Sequence, residues 1–162
     1  MVDEKSVPEK IDVATVDKRV RATVDKCLKK ESKLLELDAN ERSSTHKIAE
    51  YLQGEFKQEG YDVDCEYNRD RYDTKKLRLE PMPILSDNSK GDTVFPDIII
   101  HRRGTRNNLV VIEAKKSTNG DKSDSDKLHA FKEQLGYKLC YRLVVYAGEI
   151  FNQERLYELE SM

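Results

Sequence analysis

Pro96-Asp97-Ile98-Ile99-Ile100 and Leu109-Val110-Val111-Ile112-Glu113-Ala114-Lys115 are two apolar runs with charged ends, joined by His101-Arg102-Arg103-Gly104-Thr105-Arg106-Asn107-Asn108. Runs this rich in Val and Ile read as strands buried in a sheet. The polar connection with its glycine reads as a hairpin. Antiparallel pairing would bring the start of the first strand beside the end of the second, making Asp97 and Glu113 neighbours. Side chains alternate along a strand, so Glu113 and Lys115 should project together while Ala114 faces away. Charges are costly at such places unless they are paired or bind a metal. A hard cation such as Mg²⁺ is commonly held by one or two carboxylates, with water and substrate phosphate completing its shell. A lysine beside it suits the positioning of a water or the neutralisation of charge building on a phosphate.

Glu-x-Lys alone says little in so charged a chain, and it recurs at Glu31-Ser32-Lys33 and Glu55-Phe56-Lys57. Pro-Asp occurs once. The specific signal is the combination of Pro-Asp opening one apolar strand, a hairpin, and Glu-x-Lys closing the next. The bland alternative is two ordinary strands whose charged ends reach solvent. Together, Pro96-Asp97, Glu113-Ala114-Lys115 and the order of elements around them resemble the PD-(D/E)XK nuclease superfamily, over about Asn40 to Ala147. That resemblance implies Asp97 and Glu113 as ligands of Mg²⁺ or Mn²⁺, the Ala114 carbonyl as a further ligand, and Lys115 as the residue assisting the hydrolytic water.

Upstream, Asn40 to about Lys57 reads as a helix, with Asp38 or Asn40 as its cap. Ile48, Leu52 and Phe56 form its apolar face. Steps of three and four residues back from Ile48 reach Thr45 and Glu41, which places Glu41 on the sheet-facing side. Glu41 is thus either a third acidic element of the site or a carboxylate complementing the helix dipole. His46 lies roughly 140° around the helix from Glu41. It is expected to bond Glu50 one turn on, with a phosphate contact as the sharper alternative. No His/Cys spacing suited to zinc occurs.

The chain has 162 residues, 37% hydrophobic and 37% charged, with a net charge of −2. This suits one domain, here residues 11–162 behind a disordered tail at 1–10. The acidic balance counts against a protein that coats nucleic acid through bulk charge. Basic residues nevertheless cluster at Arg69, Arg71, Lys75, Lys76 and Arg78, in the hairpin, and at Lys115, Lys116, Lys122 and Lys127. Arg102, Arg103, Lys116, Lys127, Gln134 and His46 are the candidates for substrate contact. Tyr137 follows Gln134 one residue too soon for the Gln-x-x-x-Tyr of some superfamily exonucleases, so that branch is not inferred. Cys27, Cys65 and Cys140 are odd in number and far apart, and read as buried thiols of a cytoplasmic protein. No apolar stretch is long enough for a membrane span, and no signal-peptide core occurs.

Periodicity predicts a helix through Val16, Val20, Val24, Cys27 and Leu28, and a strand over Tyr61–Tyr67 with Tyr61, Val63, Cys65 and Tyr67 on one face. It further predicts loops at Pro81–Gly91 and Ser117–Ser125, a helix from Ser125 or Asp126 with Leu128, Phe131 and Leu135 inward, a strand at Leu143–Ala147, and a terminal helix around Leu156 and Leu159. The expected fold is α/β, a mixed central sheet flanked by helices, with a restriction-endonuclease-like αβββαβ core and an extra N-terminal helix. The expected function is a Mg²⁺- or Mn²⁺-dependent nuclease, an endonuclease acting on DNA in preference to RNA. One site per chain makes a homodimer one route to duplex cleavage. The alternative is a nucleic-acid-binding or assembly module on the same fold without turnover.

Overall fold

Val16, Val20, Val24, Cys27 and Leu28 recur at helical spacing and are buried along one stripe of α1 (Val13–Lys30), which Asp12 caps. The computed structural model describes residues 11–67, 69–70, 73–74, 76–77, 92–93, 96–116 and 122–162. After α1 come a short α2 (Ser32–Glu36) and α3 (Glu41–Phe56). Asn40 caps α3, its Oδ1 accepting the Ser43 N–H at 2.9 Å. Ile48, Leu52 and Phe56 are buried between α1 and the sheet. Burying each such side chain contributes about 1.5–3 kcal/mol. Arg19 on α1 stitches the two helices, stacking on Phe56 and pairing with Glu55 and Glu59.

The strands in chain order are β1 (Asp62–Cys65), the two-residue pieces β2 (Arg69–Asp70), β3 (Asp73–Thr74), β4 (Lys76–Leu77) and β5 (Asp92–Thr93), then β6 (Ile98–His101) and β7 (Asn108–Lys116). Helix α4 (Lys122–Leu135) leads to β8 (Leu139–Val145), and β9 (Tyr157–Ser161) closes the described chain. The main sheet has five strands in the order β1-β6-β7-β8-β9. All neighbours are antiparallel except β7 and β8, which the α4 crossover leaves parallel. β2–β3 and β4–β5 form separate small pairs.

Alternation along the strands separates two cores. Ile98, Ile100, Val110, Ile112, Ala114, Tyr141 and Leu143 pack with α1 and α3. Ile99, Val111 and Cys140 pack with Leu128 and Phe131 of α4 and with Tyr137. From Val110 onward the odd-numbered positions of β7 therefore face α4 and the even-numbered ones face α3, whereas Leu109, on the hairpin side of the bulge at Ile100–His101, joins the α1–α3 core.

Several expectations need correction. The C-terminal segment is strand β9, not a helix. Leu156 is buried just ahead of the strand, and within it Tyr157 and Leu159 pack on the core, an alternation of strand type. β8 begins at Leu139, and α4 begins at Lys122, earlier than the turn-like composition suggested. Cys65 is exposed because β1 is an edge strand, whereas Cys27 and Cys140 are buried. The expected tail at 1–10, the loop at 81–91, residues 117–121, and Arg71, Lys75 and Arg78 lie outside the described residues.

Candidate active site

β6 and β7 pair with Ile98 opposite Ile112, so one further step sets Asp97 opposite Glu113. Both project toward α4, because Ile99 and Val111 do. The Asp97 carboxylate accepts the Ala114 N–H at 2.8 Å, which fixes its orientation. The N–H and C=O of one strand residue project toward the same side. The Ala114 carbonyl therefore lies on the Asp97 side of β7.

Glu113 is 6% exposed. Its Oε2 meets Lys127 Nζ at 3.3 Å, while its Oε1 is buried without a hydrogen-bond donor. Burial, and next the charge of Asp97, push the Glu113 carboxyl up to about 8, against a smaller opposing pull from Lys127. A buried acceptor facing a second carboxylate, with no donor of its own, is costly unless a cation joins the pair. Lys115 is half-buried and shares the face of Glu113 by alternation. Lys127 is held over the Phe131 ring, which anchors the cation from the helix side.

Asp97 also forms part of a cleft of about 430 Å³ lined by Glu41, Arg42, Thr45, His46, Cys65 and Glu66. Glu41 is exposed rather than packed on the sheet, yet it lines this cleft and its carboxylate accepts the Lys116 N–H at 3.3 Å. The first turn of α3 stands past the end of β7, so Glu41 meets strand backbone instead of core. His46 lines the same cleft. Its expected partner Glu50 pairs with Lys47. Arg42, Cys65 and Glu66 line the cleft without belonging to any motif, although Arg42 lies one helical turn before His46.

The other candidates lie elsewhere. Lys116 faces α3 and pairs with Asp38 in the α2–α3 connection, so it is committed within the fold. Arg102 and Arg103 sit in the hairpin beyond the far end of β6, a strand that carries the chain roughly 13 Å from Asp97 to His101 at ~3.3 Å per residue. Arg102 stacks on Tyr61 and donates to the Glu59 carbonyl, while Arg103 pairs with Asp64, which also meets the buried His101 at 2.7 Å. These partners hold the Asp64 carboxyl below the usual carboxylate range against the upward push of burial, which is the largest single influence. Gln134 is exposed at the far end of α4, in a shallow groove with Arg106 and Gly136. Tyr137 is a core residue packed edge-on against Phe131.

Among the described residues, no three His, Cys, Asp or Glu side chains gather into a group that could hold a metal by themselves. A cation at Asp97 and Glu113 would complete its shell with the Ala114 carbonyl, water and substrate oxygens, the pattern usual for Mg²⁺. Among the described residues, no helix is long and apolar enough to cross a membrane. No protein-family model, curated protein or solved structure matches the chain.

Proposed function

We propose that this chain is a Mg²⁺- or Mn²⁺-dependent nuclease of PD-(D/E)XK type that cuts phosphodiester bonds within DNA. The observation that carries this reading is the buried Glu113 carboxylate facing Asp97, with one oxygen lacking any donor. The order α3, β1, β6, β7, α4, β8 supports it, since it follows a restriction-endonuclease-like core with α1 in front and β9 added at the edge. In this reading Asp97, Glu113 and the Ala114 carbonyl hold the cation. When bound, that cation supplies Lewis acidity toward a phosphate oxygen and lowers the pKa of a bound water.

The chain's own groups do the rest. The Ala114 N–H keeps the Asp97 carboxylate turned toward Glu113. Lys127 favours the ionised form of Glu113, the form a cation needs. Lys115 orients the attacking water or offsets charge building on the phosphate. Glu41 and His46 border the approach to Asp97. Lys127 only partly offsets the burial and the Asp97 charge that favour the protonated form of Glu113, so the cation is what completes the ionisation of the pair.

The test is cleavage of circular, linear and single-stranded DNA in Mg²⁺, Mn²⁺ or EDTA. Nicking that needs the divalent ion and disappears in Asp97→Asn supports the reading. Intact strands in every form, together with tight DNA binding, would move the chain to the non-cleaving binding module.

A further inference from the structure

Among the described residues, two buried side-chain atoms lack a hydrogen-bond partner, Glu113 Oε1 and Arg142 Nε. They are not scattered. Glu113 on β7 and Arg142 on β8 are register partners across the parallel pair. Arg142 alternates with Tyr141 and Leu143, which face α1 and α3, and shares the face of Cys140, which packs with α4. Glu113 and Arg142 therefore project from neighbouring strands to the same side, about 4.8 Å apart at the backbone. One orphan is an acceptor of negative charge and the other a donor of positive charge. A cation suits the first and an anionic oxygen suits the second.

The present partner of Arg142 is loose. Its guanidinium lies 3.9 Å from Glu160, a carboxylate 60% exposed on the edge strand β9. With one partner exposed and the charges that far apart, the pair is worth little. The Nε–H is buried and unmatched, so a ligand reaches it only once the head leaves Glu160; the planar guanidinium then presents the paired donors that suit phosphate. The head is drawn toward β9, away from Glu113, so the phosphate it meets is not the one on the cation.

We propose that Arg142 grips the neighbouring phosphate of the bound strand, beside the one held at Asp97 and Glu113. This rests on the nuclease reading for the identity of the ligand. Arg142 gives up Glu160 when the strand binds, and a phosphate oxygen accepts its Nε–H. The orphaned donor destabilises the free protein, because an unmet buried donor costs free energy that an apolar side chain does not.

The experiment compares wild type with Arg142→Met and Arg142→Lys. Binding is measured by anisotropy of fluorescein-labelled single-stranded and duplex oligonucleotides in Ca²⁺, with strand integrity checked on gels, and stability by thermal melting without DNA. The expected result is at least tenfold weaker binding by Arg142→Met, an intermediate value for Arg142→Lys, and a melting temperature of Arg142→Met equal to or above that of wild type. Unchanged binding by Arg142→Met overturns the proposal, as does lost binding accompanied by a lower melting temperature, which marks a structural role. Wild type that binds neither oligonucleotide also overturns it. Cleavage in Mg²⁺ or Mn²⁺ is scored separately. Arg142-dependent binding with no cleavage removes the nuclease reading and leaves the phosphate grip in place.

Discussion

Lys127 Nζ reaches from α4 to within 3.3 Å of Glu113 Oε2 on β7, joining the crossover helix to the strand end it follows. The contact opposes the burial and the Asp97 charge that raise the Glu113 carboxyl to about 8. Lys127→Met removes that opposition. Hydrogen bonds to charged groups are worth ~1.5–3 kcal/mol, so Mn²⁺ affinity near neutral pH should fall roughly ten- to hundredfold. Raising the pH should restore much of it. Calorimetric titration at several pH values checks this, and unchanged affinity at all of them would count against the role given to Lys127.

Glu113 also sets a pH dependence of stability. Its carboxyl titrates at about 8 in the fold against an ordinary value of 4.5. Between those values the folded chain keeps a proton that the unfolded chain has released. The stability associated with this group is fully present below the unfolded value and is lost as pH rises through about 8. In EDTA, the urea midpoint of wild type should fall between ~pH 5.5 and ~pH 8.5, and that of Glu113→Gln should fall less. Parallel declines in the two proteins would remove Glu113 as the cause.

Lys115 and Lys116 should separate cleanly. Lys115→Ala is expected to lower cleavage by ~10²–10³, the usual loss when a positioned charge at the transition state is removed. Its circular dichroism and Mn²⁺ binding should stay near wild type. Lys116 faces α3 and pairs with Asp38, so Lys116→Ala should mainly lower the melting temperature. Plasmid nicking with matched protein concentrations decides between them. Greater damage to cleavage from Lys116→Ala would mean that the assigned faces of β7 are exchanged.

Gly148 is held at φ +64, and a Cβ there would lie 3.2 Å from Asp38. Asp38 itself has φ +54, so both sides of this contact lie in the left-handed region, which glycine adopts freely and a residue with a Cβ does not. Gly148→Ala should cost about 1–2 kcal/mol from the left-handed conformation alone. At 2–4 °C per kcal/mol, the melting temperature should drop by roughly 2–8 °C. It should also displace Asp38 from Lys116. A wild-type melting curve for this variant would contradict the described packing.

Much of this was legible because strand alternation and a hairpin fix register locally. Asp97, Glu113, the split between Lys115 and Lys116, and the α1 stripe follow from periods of two and 3.6. What escaped depends on distant chain. The Asp38–Lys116 pair joins segments far apart in sequence, and no local pattern marks it. The hairpin arginines carry the right charge at the wrong end of β6, where Asp64 and Tyr61 engage them. Arg142 gains meaning only once β8 starts at Leu139 and runs parallel to β7. Tyr157-Glu158-Leu159-Glu160 alternates, but the nearby Leu156 and Leu159 mimic helical spacing.

The central claim is that Asp97 and Glu113 together hold a divalent cation. Titrating Mn²⁺ into wild type, Asp97→Asn and Glu113→Gln by isothermal calorimetry tests it most directly. The account predicts a site in wild type that is lost or weakened at least tenfold in both variants, with matched circular dichroism and with protons released on binding. Equal Mn²⁺ binding by all three proteins would contradict it.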